Sequence, residues 1–248
     1  MQPLLTFAEQ MKKKKNSNSW NTPLLLFISA ALVFFIIRFI AAPDKRYRIR
    51  GIDVSAHTGK IDWENLPNQR VYFAYVKASE GVSLHDRNFK RNVDGANRAN
   101  IPVGAYHFFN FNRDGILQAK NFLAVTRGAK LQLPPVVDFE EFGNNVRNPK
   151  RVIVSELKAF IAYVEKSTGS QVLIYTNEDC YKLYLDGCFP NNPLWISSFK
   201  YSPKVTKKWL FWQFTHEGKL HGVEGKVDFN VFRGSVLDWK QYLKTVSQ

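Results

Sequence analysis

The chain has 248 residues, 45% hydrophobic, 15% aromatic and 23% charged, which excludes disordered, collagenous and low-complexity classes. Two cysteines exclude a disulfide scaffold and a cysteine-rich zinc module. The net charge of +14 falls half on the first 50 residues. The remainder is spread without a basic helix or an aromatic RNA-binding strand, so an anionic polymer suits it better than nucleic acid.

The chain opens on a basic tail, residues 1–23, with Lys12, Lys13, Lys14 and Lys15 together. Residues 24–42 follow with 17 apolar side chains, Ser29 and Arg38. At about 1.5 Å per residue this stretch reaches roughly 28 Å, enough for a bilayer core, and Arg38 sits where it can snorkel to the headgroups. A cleaved signal peptide would end at Ala42, but Pro43 follows, and 23 residues are a long preamble for one. The expectation is therefore a single transmembrane signal anchor over 24–42 and a short linker over 43–50. The lysines favour a cytoplasmic amino terminus, although Lys45, Arg46, Arg48 and Arg50 make the opposite flank nearly as basic. The 198 residues from 51 to 248 fit one domain, large enough to need no disulfide or metal.

In that domain eight short apolar or β-branched runs predict strands: 51–55, 72–79, 102–108, 134–140, 172–176, 193–198, 210–215 and 227–232. Helical patterns fill 85–99, 114–125 and 149–167. The last has Ile153, Leu157, Phe160, Ile161 and Val164 at helical spacing and Gly169 as a stop. After Val172 the spacers are too short for full helices between strands. Eight strands with early alternation predict an α/β fold, a TIM-like barrel that has lost its late helices.

Working residues of such barrels stand at the carboxyl ends of strands. Asp53, Asp138, Glu140 and Asp228 are the candidates. Side chains alternate along a strand, so Asp138 and Glu140 share a face, about 6.6 Å apart at the backbone, while Phe139 points away. Two carboxyls so placed resist joint ionisation, and one keeps its proton to higher pH. A glycosidase needs such a pair, an acid for the leaving oxygen and an ionised partner for the developing positive charge.

Around this core the residues leave alternatives open. Tyr106 suits a hydrogen bond to a sugar or a place in the core. Trp195 and Trp212 suit sugar stacking or barrel packing. Glu80 follows the second strand within reach of a cleft. His107 reads as a core histidine and Glu141 as solvated. His216 and His221 are five apart with Gly218 between, which does not make a zinc pair. No metal or cofactor is expected. Cys180 and Cys188 could close a small loop outside the cytoplasm.

Several stretches together resemble the lysozymes of glycoside hydrolase family 25, the Chalaropsis-type muramidases. They are Gly51-Ile52-Asp53-Val54-Ser55 with Gly59 and Ile61-Asp62-Trp63; Lys77-Ala78-Ser79-Glu80-Gly81; Gly104-Ala105-Tyr106-His107-Phe108; and Asp138-Phe139-Glu140. Trp212-Gln213-Phe214 and Gly225, Val227, Asp228 and Asn230 complete the set. The resemblance covers nearly the whole domain and implies an irregular (β/α)5β3 barrel. It implies an N-acetylmuramidase that cuts the β-1,4 bond between N-acetylmuramic acid and N-acetylglucosamine in peptidoglycan. By motif, Glu140 would be the general acid, Asp138 would orient and polarise the substrate N-acetyl group or the developing charge, and Asp53 and Asp228 would complete an acidic floor. The attacking group is either an Asp or, by preference, the acetamido oxygen of the substrate. Thr58 stands where many members have Gln, a departure in a loop near the site. With the substrate in the wall, the barrel is expected on the outer side of the cytoplasmic membrane. The competing readings are a non-catalytic wall-binding barrel and a hexosaminidase acting on a chitin-like polymer.

Overall fold

Strands buried on both faces are largely apolar, and several of the runs read above form such strands. In the computed structural model, which describes residues 47–205 and 208–246, they are β1 (Arg50–Val54), β2 (Phe73–Glu80), β3 (Leu84–His85), β4 (Val103–Phe108), β5 (Val136–Asp138), β6 (Leu173–Asn177), β7 (Leu194–Ser197), β8 (Phe211–Gly218) and β9 (Val227–Phe232). All eight expected strands are present. The short β3 is an addition that turns back antiparallel on the end of β2.

The sheet order is β1-β9-β8-β7-β6-β5-β4-β2, and β1 also pairs with β2, which closes an eight-stranded barrel. Every neighbouring pair from β1 through β2 and β4 to β8 is parallel. β9 runs antiparallel to both β8 and β1. The fold is thus mixed α/β around a barrel, as the sequence led one to expect.

Helices cover the early crossovers: α1 (Phe89–Arg98), α2 (Gly115–Thr126) and α3 (Lys150–Thr168). α2 starts where the Asp114 carboxylate accepts the Leu117 amide at 2.7 Å, satisfying one of the orphan donors of a helix start. α3 buries the five residues that its periodicity marked and stops at Gly169. Between β1 and β2 only 3₁₀ turns appear. After β6 a short α4 (Glu178–Cys180) runs into a wider π turn, Tyr181–Leu185, and among the described residues no helix links β7 to β8 or β8 to β9. A last helix, α5 (Val236–Val246), was not anticipated.

Two apolar layers result. Outside the barrel, Val76, Ala105, Val137 and Ile174 pack under the helices with Phe122, Leu157 and Phe160. Inside it, Phe73, Tyr75, Leu173, Trp195, Phe211 and Phe232 fill the lower half. Gly51 and Gly104 make room for them: a Cβ at Gly51 would meet the Phe73 ring at 2.5 Å, and one at Gly104 the Tyr75 ring at 2.3 Å. α5 closes the amino end with Trp239, whose ring lies 5.3 Å from Phe73 and 5.1 Å from Phe232.

The chain divides into two units, Met1–Ala42 and Pro43–Gln248, and all described residues belong to the second. The expected membrane segment 24–42 lies outside the described residues. Among those described, no helix is long and apolar enough to cross a membrane.

Candidate active site

The carboxyl end of the barrel opens into a cavity of about 810 Å³. Strand alternation decides what faces it. On β1, Gly51 and Asp53 point inward while Ile52 and Val54 pack outward. Asp138 is the last residue of β5, and Glu140 lies two residues on, on the same side. Phe139 points away, stacked on Phe111 at 4.4 Å. Asp228 comes near the start of β9, not its end. Because β9 is antiparallel, that start lies at the mouth, with Asp228 directly across from Asp53 in the register. All four expected acids therefore line one cavity.

Their surroundings differ. One oxygen of Asp53 accepts hydrogen bonds from the Asn230 amide at 2.7 Å and the Gln213 amide at 3.0 Å. Burial pushes its carboxyl up, and these donors oppose that. Asp228 is pushed up to about 9 by burial, then by the Asp53 charge and by a hydrogen bond with Asp53. Carboxyls this close resist joint ionisation, and the two amide donors on Asp53 favour its ionised form. Asp138 is raised well above the carboxylate range by burial, then by the charges of Glu140 and Asp53, while Lys77 pulls it back. Its Oδ1 is buried and has no hydrogen-bond partner. Glu140, nearer the rim, is raised to about 7 by burial and then by Asp53.

Of the other expected residues, Tyr106, Trp195 and Glu80 line the cavity. Burial and the surrounding carboxylates keep the Tyr106 phenol protonated, able to donate. Trp195 is 2% exposed and donates its indole N–H to Asn230 Oδ1 at 2.9 Å, so it is floor and support. Glu80 is engaged by Lys77 at 2.7 Å. Trp212 does not reach the cavity. It alternates with the inward Phe211 and Gln213, packs on the outside against Trp209 and Tyr47, and donates its indole N–H to the Ser198 carbonyl.

The sequence reading gave no role to Lys77, Tyr175, Gln213 or Asn230, which complete the site. The Tyr175 hydroxyl donates to Gln213 Oε1 at 2.9 Å, which orients the Gln213 amide towards Asp53. Gln213 and Asn230 carried a signal: polar side chains at inward positions of aromatic strands need a buried partner.

Three other expectations resolve. His107 is a core residue, held by Ser79 at 2.8 Å and stacked on Phe160. Burial lowers it to about 3, so the Ser79–His107 contact is no nucleophile and base. Glu141 is exposed yet accepts the Tyr184 hydroxyl at 2.6 Å. Cys180 and Cys188 are free thiols.

The family model for glycosyl hydrolases family 25 matches residues 52–223, which contain most of β1, all of β2 to β8 and three of the four acids. The chain belongs to that family. Its barrel is similar to the family 25 glycosyl hydrolase from Bacillus anthracis, with a TM-score of 0.75 and 36% identity over 81% of this chain and 96% of that one. It is also similar to a bacterial lysozyme from Streptomyces coelicolor, with a TM-score of 0.74 and 30% identity over 82% and 100% of the two chains. In sequence it is 32% identical to Lysozyme M1 of Streptomyces globisporus over 222 residues, 79% of this chain and 74% of that protein. This family 25 member is thus a glycosidase, with its four acids gathered at the mouth of the barrel.

Proposed function

We propose that the barrel is a peptidoglycan hydrolase, a β-1,4-N-acetylmuramidase, with Glu140 as its general acid. The observation that carries the reading is the convergence of Asp53, Asp138, Glu140 and Asp228 on one cavity at the carboxyl end of the barrel. Asp138 lines that cavity, and the N–H of a bound N-acetyl group would donate to its carboxylate. That bond favours ionised Asp138, so the proton that the two carboxyls resist losing rests on Glu140.

Glu140 then protonates the glycosidic oxygen as its bond to the anomeric carbon breaks. The acetamido oxygen, oriented through Asp138, stabilises the positive charge at that carbon. Ionised Asp53, with Asp228 hydrogen-bonded to it, adds negative potential below. Tyr106 donates to the substrate from the wall.

Digestion of purified peptidoglycan, with the new reducing end identified, tests this. The expected product ends in N-acetylmuramic acid. Ends in N-acetylglucosamine, or a preference for chitin oligomers, would replace the reading with another hexosaminidase. Absence of cleavage would leave a wall-binding barrel.

We further propose that residues 24–42 are an uncleaved transmembrane anchor, with 1–23 as a cytoplasmic tail and 43–50 as a linker. The 51–248 barrel would then act on peptidoglycan outside the cytoplasmic membrane. The 19-residue stretch with 17 apolar side chains, the basic preamble and Pro43 after Ala42 support this. Fractionation of cells making the full chain should place it in membranes with its amino terminus intact. Recovery of a soluble species starting near Pro43 would replace the anchor by a signal peptide.

A further inference from the structure

Phe142 is 84% exposed, more than any other large apolar side chain among the described residues, and it lines the cavity two residues past Glu140. It is not on a loose loop. The Asn144 side chain donates to the Glu140 carbonyl at 2.9 Å and to the Phe109 carbonyl at 3.0 Å, and accepts the Phe111 amide at 2.9 Å. The Asn144 amide closes the turn on the Glu141 carbonyl at 2.8 Å. A pinned loop that holds an aromatic ring in water loses little freedom when the ring is covered.

A second aromatic lines the same cavity from the chain after β7. Phe199 is 42% exposed and meets the His216 ring of β8 edge-on at 4.6 Å. In the barrel order β6, with the polar Tyr175 and Asn177, stands between the two sites. The rings thus form no single greasy patch of the kind that docks a protein. They are separate flat surfaces beside an acidic floor, a form suited to the apolar faces of successive pyranose rings.

We propose that Phe142 and Phe199 are stacking platforms for sugars on either side of the bond being cut, so that the enzyme prefers long glycan strands to short fragments. This rests on the muramidase reading and extends it to substrate length. The test measures binding directly, in the Glu140→Gln background, with peptide-free glycan oligomers of increasing length. Phe142→Ala and Phe199→Ala should each weaken binding of long oligomers about tenfold, typical of losing one aromatic contact, and of a disaccharide less than twofold. Phe142→Trp should keep the long-oligomer affinity. Leu237→Ala, an exposed apolar change on α5 at the other end of the barrel, should alter neither. If either alanine variant binds long oligomers like the parent, or loses disaccharide binding equally, the two-platform arrangement is overturned. Reducing-end release by the unmodified protein from the same oligomers reports separately on the muramidase reading.

Discussion

Glu140→Gln is expected to lower kcat on peptidoglycan by about two to four orders of magnitude, the usual worth of general acid–base help. The amide matches the carboxyl in shape but has no proton to give the leaving oxygen. A pH profile supplies the second half of the prediction. Burial and the Asp53 charge raise Glu140 to about 7, so activity of the unmodified enzyme should fall as pH rises through that value. Between about 4.5 and 7 the folded state keeps a proton that the unfolded chain has released, so Glu140 costs stability as pH rises through that window. Glutamine removes that cost. At pH 8 the variant should melt no lower than its parent. Near-parental turnover would refute the acid assignment. Lost turnover with a lowered melting temperature would point to a structural role.

Trp239→Ala is expected to destabilise the barrel by about 3–5 kcal/mol, a melting-temperature drop of roughly 6–20 °C for a domain of this size. Trp239 is 5% exposed and touches Phe73, Phe211, Phe232 and Tyr242. Its removal opens the amino end of the barrel and leaves a cavity that neighbouring β-strands cannot collapse to fill. Thermal melts followed by circular dichroism measure this. A shift below about 2 °C would show that α5 is an appendage and not a plug.

The strands were legible because their burial on both faces leaves apolar runs, as in Phe73–Val76. The acids were legible for the opposite reason, since a carboxylate in such a run has no packing excuse. Asp228 was placed at the right end although the direction of β9 could not be read. A reversed strand has the same composition as a forward one, and only its register with β1 reveals the turn. Trp212 was misplaced for want of strict alternation. Once Gln213 is taken as inward, Trp212 must face out. α5 carried its own signal in Trp239, Tyr242 and Leu243 at helical spacing, outside the alternation on which the barrel reading rested. Lys77 gave no signal as a wall residue, because a lysine in a strand usually lies on a solvated face.

The reversal of β9 also sets where anything can be joined to this enzyme. A barrel of eight parallel strands would deliver its last strand to the same rim as its active groups. Here β9 descends instead, so Phe232 ends beside the start of β1, and α5 carries the chain across the base. Residues at both borders of the barrel, near Ile49 and Val246, thus leave from the side opposite the carboxylates. A targeting module or immobilising surface attached at either border would leave the glycan entrance unobstructed. Shuffling of accessory modules could then proceed at both ends without re-engineering the chemistry.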